Sequence, residues 1–145
     1  MNDGQLKTTA PSLLMLGACL MYEALTVIAL SFACAGLFLW IAGDATHGIK
    51  RLFMQLFLWF VIGAYFIWCW LKSGQTLAMQ AWQLKLVNQG NQLLTLKFAI
   101  VRYLLATLSL ALCGLGFLWA VVDSNRLFLH DRLLKCKVVK MNRRN

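Results

Sequence analysis

Glu23 is the residue of this sequence whose position most constrains its chemistry. It lies in a long apolar run, about ten residues, or about 15 Å, from the start of that run. An unpaired carboxylate at that depth in a bilayer costs several kcal/mol, so Glu23 must be protonated, paired or hydrated. Two interpretations stay open. Glu23 forms an ion pair with Arg102 that fixes helix packing, or it binds a proton or cation in a transport pathway.

The cysteines and histidines indicate neither a metal site nor a redox site. The five cysteines contain no Cys-x-x-Cys pair, and all but Cys136 lie in apolar runs, where free cysteine packs as a small apolar side chain. His47 and His130 are far apart in the sequence and lack clustered partners. No phosphate-binding loop or nucleophile elbow is present. We therefore expect no enzyme activity, no cofactor and no bound metal.

The elements that must position Glu23 are membrane-spanning helices. Hydrophobic residues occupy 61% of the 145 positions and charged residues 13%. In soluble domains roughly half of the residues are hydrophobic and about a quarter are charged. Strands that crossed a membrane singly would leave backbone groups unpaired in hydrocarbon. We therefore predict an all-α integral membrane protein with about three transmembrane helices. A helix needs about 20 apolar residues to cross, and the runs that qualify are residues 13–42, 52–71 and 98–122.

Two further segments are too apolar for free loops and too polar for spans. Residues 72–97 mix apolar with polar positions and include an Asn-Gln-Gly-Asn turn. A short interfacial helix or a β-hairpin would fit, and we favour an amphipathic element at the membrane boundary. Residues 127–139 indicate another surface-bound element. The predicted division of the chain is an N-terminal arm, a membrane domain and a basic tail: residues 1–12, 13–139 and 140–145.

The distribution of Lys and Arg predicts the orientation, because cytoplasmic loops are enriched in both. With three spans, nine of the fourteen basic residues fall on the side of the C-terminal tail and five on the side of the N-terminal arm. This predicts a multi-pass protein of the plasma (inner) membrane with a cytoplasmic C-terminus and an outside N-terminus. Anionic lipid headgroups account for the net charge of +9. The basic tail lacks the aromatic residues of a nucleic-acid surface, so we expect no nucleic-acid partner.

Several motifs resemble those of the RDD family of small membrane proteins. The resemblance extends from Pro11 to Val139. The motifs that carry it are Lys72-Ser73-Gly74-Gln75-Thr76-Leu77, Arg102-Tyr103, Leu115-Gly116-Phe117, Leu129-His130-Asp131-Arg132-Leu133 and Lys137-Val138-Val139.

The resemblance implies a set of charged residues. Glu23 occupies the place of the family's helix-one aspartate, and Asp131 matches its later aspartate. The family's arginine is missing, since the expected region reads Leu14-Met15-Leu16. Some members have been proposed as cation/proton antiporters. By resemblance, Glu23, Asp131 and Arg102 are ion-pathway candidates, and the supporting motif positions are Gln75, Thr76 and His130.

Two functions remain open from the sequence. The first is an assembling or accessory membrane component, because the small residues Ala29, Ala33 and Gly36 form a helix face that another helix could approach closely. The alternative is an oligomeric cation/proton antiporter that uses the intramembrane carboxylate. In that alternative Glu23 and Asp131 are expected toward opposite ends of the membrane. A homo-oligomer or a partner membrane protein is expected in both cases.

Overall fold

The structure is a computed structural model that describes residues 8–43, 47–112, 114–125 and 127–141. Within these residues the chain forms six helices and a three-stranded sheet. The helices are α1 Leu13–Ala42, α2 Gly48–Lys72, α3 Leu77–Ala81, α4 Leu96–Ala111, α5 Leu115–Val122 and α6 Leu129–Leu133. The strands are β1 Thr8–Thr9, β2 Leu84–Asn88 and β3 Cys136–Met141.

Helices α1 and α2 confirm the first two apolar runs as helices. The hydroxyl of Ser12 accepts from the Met15 N–H at 3.2 Å and caps the start of α1. Gly43, with a φ of 71°, ends it in the left-handed region that glycine tolerates. Helix α2 starts four residues before the predicted bound, because the charged pair Lys50-Arg51 continues the helix beyond the apolar run. Within the described residues, α1 and α2 are the two helices long and apolar enough to cross a membrane, or three if a bent pair counts as one span.

The third apolar run is not the straight helix that the sequence predicted. It is divided into α4 and α5, whose axes meet at 93°. The break includes Gly114, with a φ of 75°, and Cys113, which lies outside the described residues. A Cβ on Gly116 would collide with the Ser109 hydroxyl, so glycine is what allows α5 to fold against α4. Helix α4 alone rises about 24 Å, which is less than the bilayer core.

The two segments expected at the membrane boundary form a sheet together. Its strand order is β1-β3-β2, and both pairs are antiparallel. In register, Leu86 pairs with Val138 and Thr9 with Lys140. Of the two forms considered for residues 72–97, the short helix is limited to the five residues of α3. The β-hairpin alternative is also wrong, because β2 pairs with β3 and not with a second strand within residues 72–97.

The sheet corrects the predicted orientation of the termini. Residues of the N-terminal arm, of the segment after α2 and of the C-terminal segment share one sheet, so they lie at one end of the α1–α2 pair. An outside N-terminus with a cytoplasmic C-terminus is therefore wrong. The pair α4–α5 also begins and ends at the sheet end, because α4 follows β2 and α6 packs on both α4 and α5.

The buried core lies at the sheet end and not along the spans. Leu84 and Leu86 of β2 and Ala99 of α4 have no exposed surface. In α1, by contrast, the most apolar 18-residue window contains no buried residue. An apolar helix surface of this extent is expected to face lipid. The sheet end therefore holds the fold together and positions the charged residues.

Candidate functional site

Arg102 and Asp131 form a buried ion pair between α4 and α6. The Arg102 Nε donates to Asp131 Oδ1 at 2.7 Å, and Nη2 donates to Oδ2 at 3.2 Å. Asp131 is 0% exposed and Arg102 is 6% exposed. The Trp70 ring of α2 covers the guanidinium, with 4.3 Å between Arg102 Cζ and the ring centroid. The pair thus ties three helices together, and both oxygens of the carboxylate are engaged.

Cys136 and His130 complete the surroundings of Asp131. The Cys136 thiol lies 3.4 Å from Asp131 Oδ1 and donates toward it. Burial, followed by the negative charge of Asp131, raises the pKa of the Cys136 thiol to about 12. The His130 Nε2 lies 3.6 Å from Asp131 Oδ1, beyond hydrogen-bond distance. Burial lowers the pKa of His130 to about 4, so the imidazole is neutral at pH 7.

His130 is a buried imidazole that packs against aromatic rings. Its ring lies between Phe117 and Phe128, with centroid distances of 5.1 and 5.5 Å. It is 2% exposed, and neither Nδ1 nor Nε2 has a hydrogen-bond partner among the described residues. Unpartnered buried nitrogens cost free energy, so their presence beside an open space indicates that something else can satisfy them.

That open space is a cavity of about 450 Å³ between α1, α2 and α4. Its size is in the range of small-molecule sites. The walls are mostly apolar and aromatic, and the end near the sheet carries the charged and polar side chains of Glu23, Arg102 and His130. The other lining residues include Leu16, Leu20, Val27, Ile28, Trp59, Ile62, Phe66, Trp70, Tyr103, Ala106, Leu110 and Phe117.

Glu23 faces this cavity and does not form the ion pair with Arg102, which was one of the two interpretations left open by the sequence. Arg102 pairs instead with Asp131, which the sheet and α6 bring directly against it. The Glu23 carboxylate interacts with the Thr76 hydroxyl and is attracted by the charge of Arg102. Its Oε1 is buried and finds no hydrogen-bond partner in the described part of the chain. Glu23 and Asp131 thus both lie near Arg102, and their expected placement toward opposite ends is wrong.

Gln75 and Thr76 have structural contacts in the connection between α2 and β2. The Gln75 Nε2 donates to the Leu84 carbonyl at 2.6 Å. The Thr76 Oγ1 accepts from the Met79 N–H at 3.2 Å and caps α3. These contacts place β2 under the cavity.

Sequence reasoning missed Trp70 and Asp123. Trp70 lies two residues before Lys72, and no local pattern indicates that its ring would cover the guanidinium of Arg102. The Asp123 Oδ1 accepts from Arg132 Nη1 at 2.6 Å, and its Oδ2 accepts from the Leu127 N–H at 3.1 Å. A carboxylate that directly follows a helix and precedes a basic helix was a usable signal for this turn.

These features define a small helical membrane protein whose charged residues gather at one end of an apolar cavity. The RDD family model matches residues 16–135, and the chain belongs to the RDD family. Neither a curated protein nor a solved structure matches the chain. The match covers nearly all of α1, with Glu23, and all of α6, with Asp131, and so includes the charged residues of the site; Cys136 follows its last residue.

Proposed function

We propose that this RDD protein is a non-enzymatic, assembling component of the plasma membrane, which associates with a second copy or a partner through the outer face of α1. The observation that carries the proposal is the exposure of Ala29, Ala33 and Gly36 on one helix face. A Cβ on Gly36 would meet no atom of the described chain within 4 Å. Small residues let helix backbones approach closely in lipid. The motif residues Arg102 and Asp131 meanwhile hold the fold together.

The experiment places bulk on this face without disturbing the monomer. Ala33→Leu and Gly36→Leu should reduce the number of subunits per complex, measured by single-molecule photobleaching in nanodiscs. Ala64→Leu is the matched control, since Ala64 is an exposed small residue of another helix, α2. An unchanged subunit number in both α1 variants, or an equal loss in the control, would contradict assembly through α1.

A second candidate, a cation/proton antiporter, is supported by the unpartnered Oε1 of Glu23. A carboxylate within a candidate span that faces a cavity is a typical proton or cation ligand. The test is sodium or proton flux in vesicles that contain the purified protein, with Glu23→Gln beside the unaltered chain. Flux that is absent from the unaltered protein ends this candidate, and flux that survives in the variant removes Glu23 from it.

The orientation we propose has the sheet end, with both termini, in the cytoplasm. The loop between α1 and α2 is followed by Lys50 and Arg51, while the other eight basic residues of the described part of the chain belong to the sheet end. The positive-inside rule then favours a cytoplasmic sheet end. Its basic residues would bind anionic headgroups, with about 1 kcal/mol for each basic residue near the surface.

Cysteine labelling in a cysteine-free background tests this orientation. Cys136 itself is a poor reporter, because it is 3% exposed and its thiol has a raised pKa. Exposed positions at the two ends serve instead: Gln89→Cys after β2 and His47→Cys before α2. An impermeant thiol reagent on intact cells should label the His47→Cys variant and spare the Gln89→Cys variant. The reverse pattern would overturn the orientation.

A further inference from the structure

We propose that the cavity between α1, α2 and α4 binds a lipophilic organic cation, with the charged group beside Glu23 and the apolar body against the aromatic wall. The binding does not depend on assembly through the outer face of α1, because Ala29, Ala33 and Gly36 do not line the cavity.

The charge of the polar end selects a cation. Arg102 contributes a positive charge, but both Asp131 oxygens neutralise it at 2.7 and 3.2 Å. His130 is uncharged at pH 7. An ionised Glu23 therefore gives this end a net negative charge. Its carboxylate interacts with the Thr76 hydroxyl and is attracted by Arg102, but its buried Oε1 has no hydrogen-bond partner among the described residues. A buried carboxylate oxygen without a partner is costly, so a cationic ligand gains the most from this site.

The walls favour an organic ion over an inorganic one. Trp59 and Tyr103 lie against each other at a centroid distance of 5.4 Å, and Phe66 and Trp70 at 5.4 Å. All four rings line the cavity, where aromatic faces attract organic cations. An apolar lining of this kind offers few oxygen atoms to replace the hydration shell of a metal ion. A cation whose charge is spread over an apolar body loses little hydration on entry.

His130 supplies a second polar contact point for the ligand. Its neutral ring carries one N–H donor and one acceptor nitrogen, both unpartnered within the described chain. The ring is nine-tenths buried and lines the same end of the cavity as Glu23 and Arg102. A ligand with a polar group beside its charge could satisfy this imidazole.

Access is possible from the lipid between α1 and α4. Helix α1 packs extensively on α2 and α3, and α4 packs on α2, α5 and α6. Extensive packing between α1 and α4 is absent from the described residues, and side chains of both helices line the cavity. A lipophilic cation that partitions into the bilayer can therefore reach Glu23 without crossing the sheet end.

The test measures binding of radiolabelled tetraphenylphosphonium to the purified full-length protein in micelles, with protein-free micelles as the blank. We expect saturable binding that falls at least tenfold in Glu23→Gln and is largely kept in Glu23→Asp. Tetraphenylborate, of similar shape and opposite charge, is measured separately and should not bind saturably. Ala106→Phe places bulk on the cavity face of α4 and should abolish binding with Glu23 intact, while Ala64→Phe on the exposed face of α2 should leave it unchanged.

Each contrary result overturns the proposal. Saturable borate binding of equal strength would show that charge does not select the ligand. A folded Glu23→Gln variant that binds within twofold of the unaltered protein would remove Glu23 from the site. If Glu23→Gln does not fold, unchanged binding in Ala106→Phe would rule out the cavity. Lipid retained in the cavity with no phosphonium binding would identify a structural lipid site instead.

Discussion

Replacing Arg102 tests whether the buried ion pair holds the fold together. Arg102→Gln leaves Asp131, which is 0% exposed, without its counter-charge and removes the contact with the Trp70 ring. Breaking a buried pair by removing one partner costs about 3–5 kcal/mol. Loss of the cation–π contact adds about 1 kcal/mol. We expect the free energy of unfolding to fall by about 5 kcal/mol.

Arg132→Gln is the matched control for this change. It also removes one guanidinium that is bonded to a buried aspartate, Asp123, at 2.6 Å. The Arg132 side chain is 59% exposed, so water can replace much of its interaction. The expected loss is about 1 kcal/mol or less.

The assay is unfolding in mixed micelles at increasing SDS, followed by tryptophan fluorescence. The double variant Arg102→Gln/Asp131→Asn completes the comparison, because removing both charges should recover part of the loss. An Arg102→Gln variant that is as stable as Arg132→Gln would refute a stabilising role for the pair. A double variant less stable than the sum of the single variants would refute the pairing itself.

Two further predictions concern stability at the sheet end. The pKa of His130 is about 4 in the folded chain and 6.5 for the free side chain. Between these pH values the unfolded chain binds a proton that the folded chain does not, so the free energy of unfolding should fall by up to about 3 kcal/mol as the pH drops from 6.5 to 4. His130→Gln should remove that part of the loss in melting curves. Gly74→Ala should lower the free energy of unfolding by about 1–3 kcal/mol, because Gly74 has a φ of 71° and a Cβ there would lie 2.7 Å from the Leu86 carbonyl oxygen. Gly17→Ala is the control and should cost nothing measurable, because no atom of the described chain lies within 4 Å of the added Cβ. Equal losses in both variants would contradict the steric explanation.

The sequence was least informative about which charged residues form an ion pair. Arg102 and Asp131 are 29 residues apart, and nothing in the local pattern favours Asp131 over Glu23. Both acids come close to Arg102 in the fold. The choice depends on α6 and β3, whose positions follow from pairing with β2. Glu23 is left facing a cavity, a place that no periodicity indicates.

The sequence also did not predict the bend between α4 and α5, because the bend depends on how the two helices pack. Composition shows only that residues 98–122 are apolar, and the run contains glycines that a helix in lipid tolerates. Gly116 permits a close approach to Ser109 that is visible only when the two helices pack. The predicted count of spans rested on that run, and the predicted orientation rested on the count.

The sequence by itself determined that this chain forms apolar membrane helices, where α1 begins and ends, and which residues carry the family motifs. These are local properties, because hydrocarbon length, capping and turn chemistry act over one helix. Only the tertiary structure decided the sheet, the bend, the common end for β1 and β3, and the partner of each charge. Those depend on contacts between distant segments, whose free energy a linear pattern does not record.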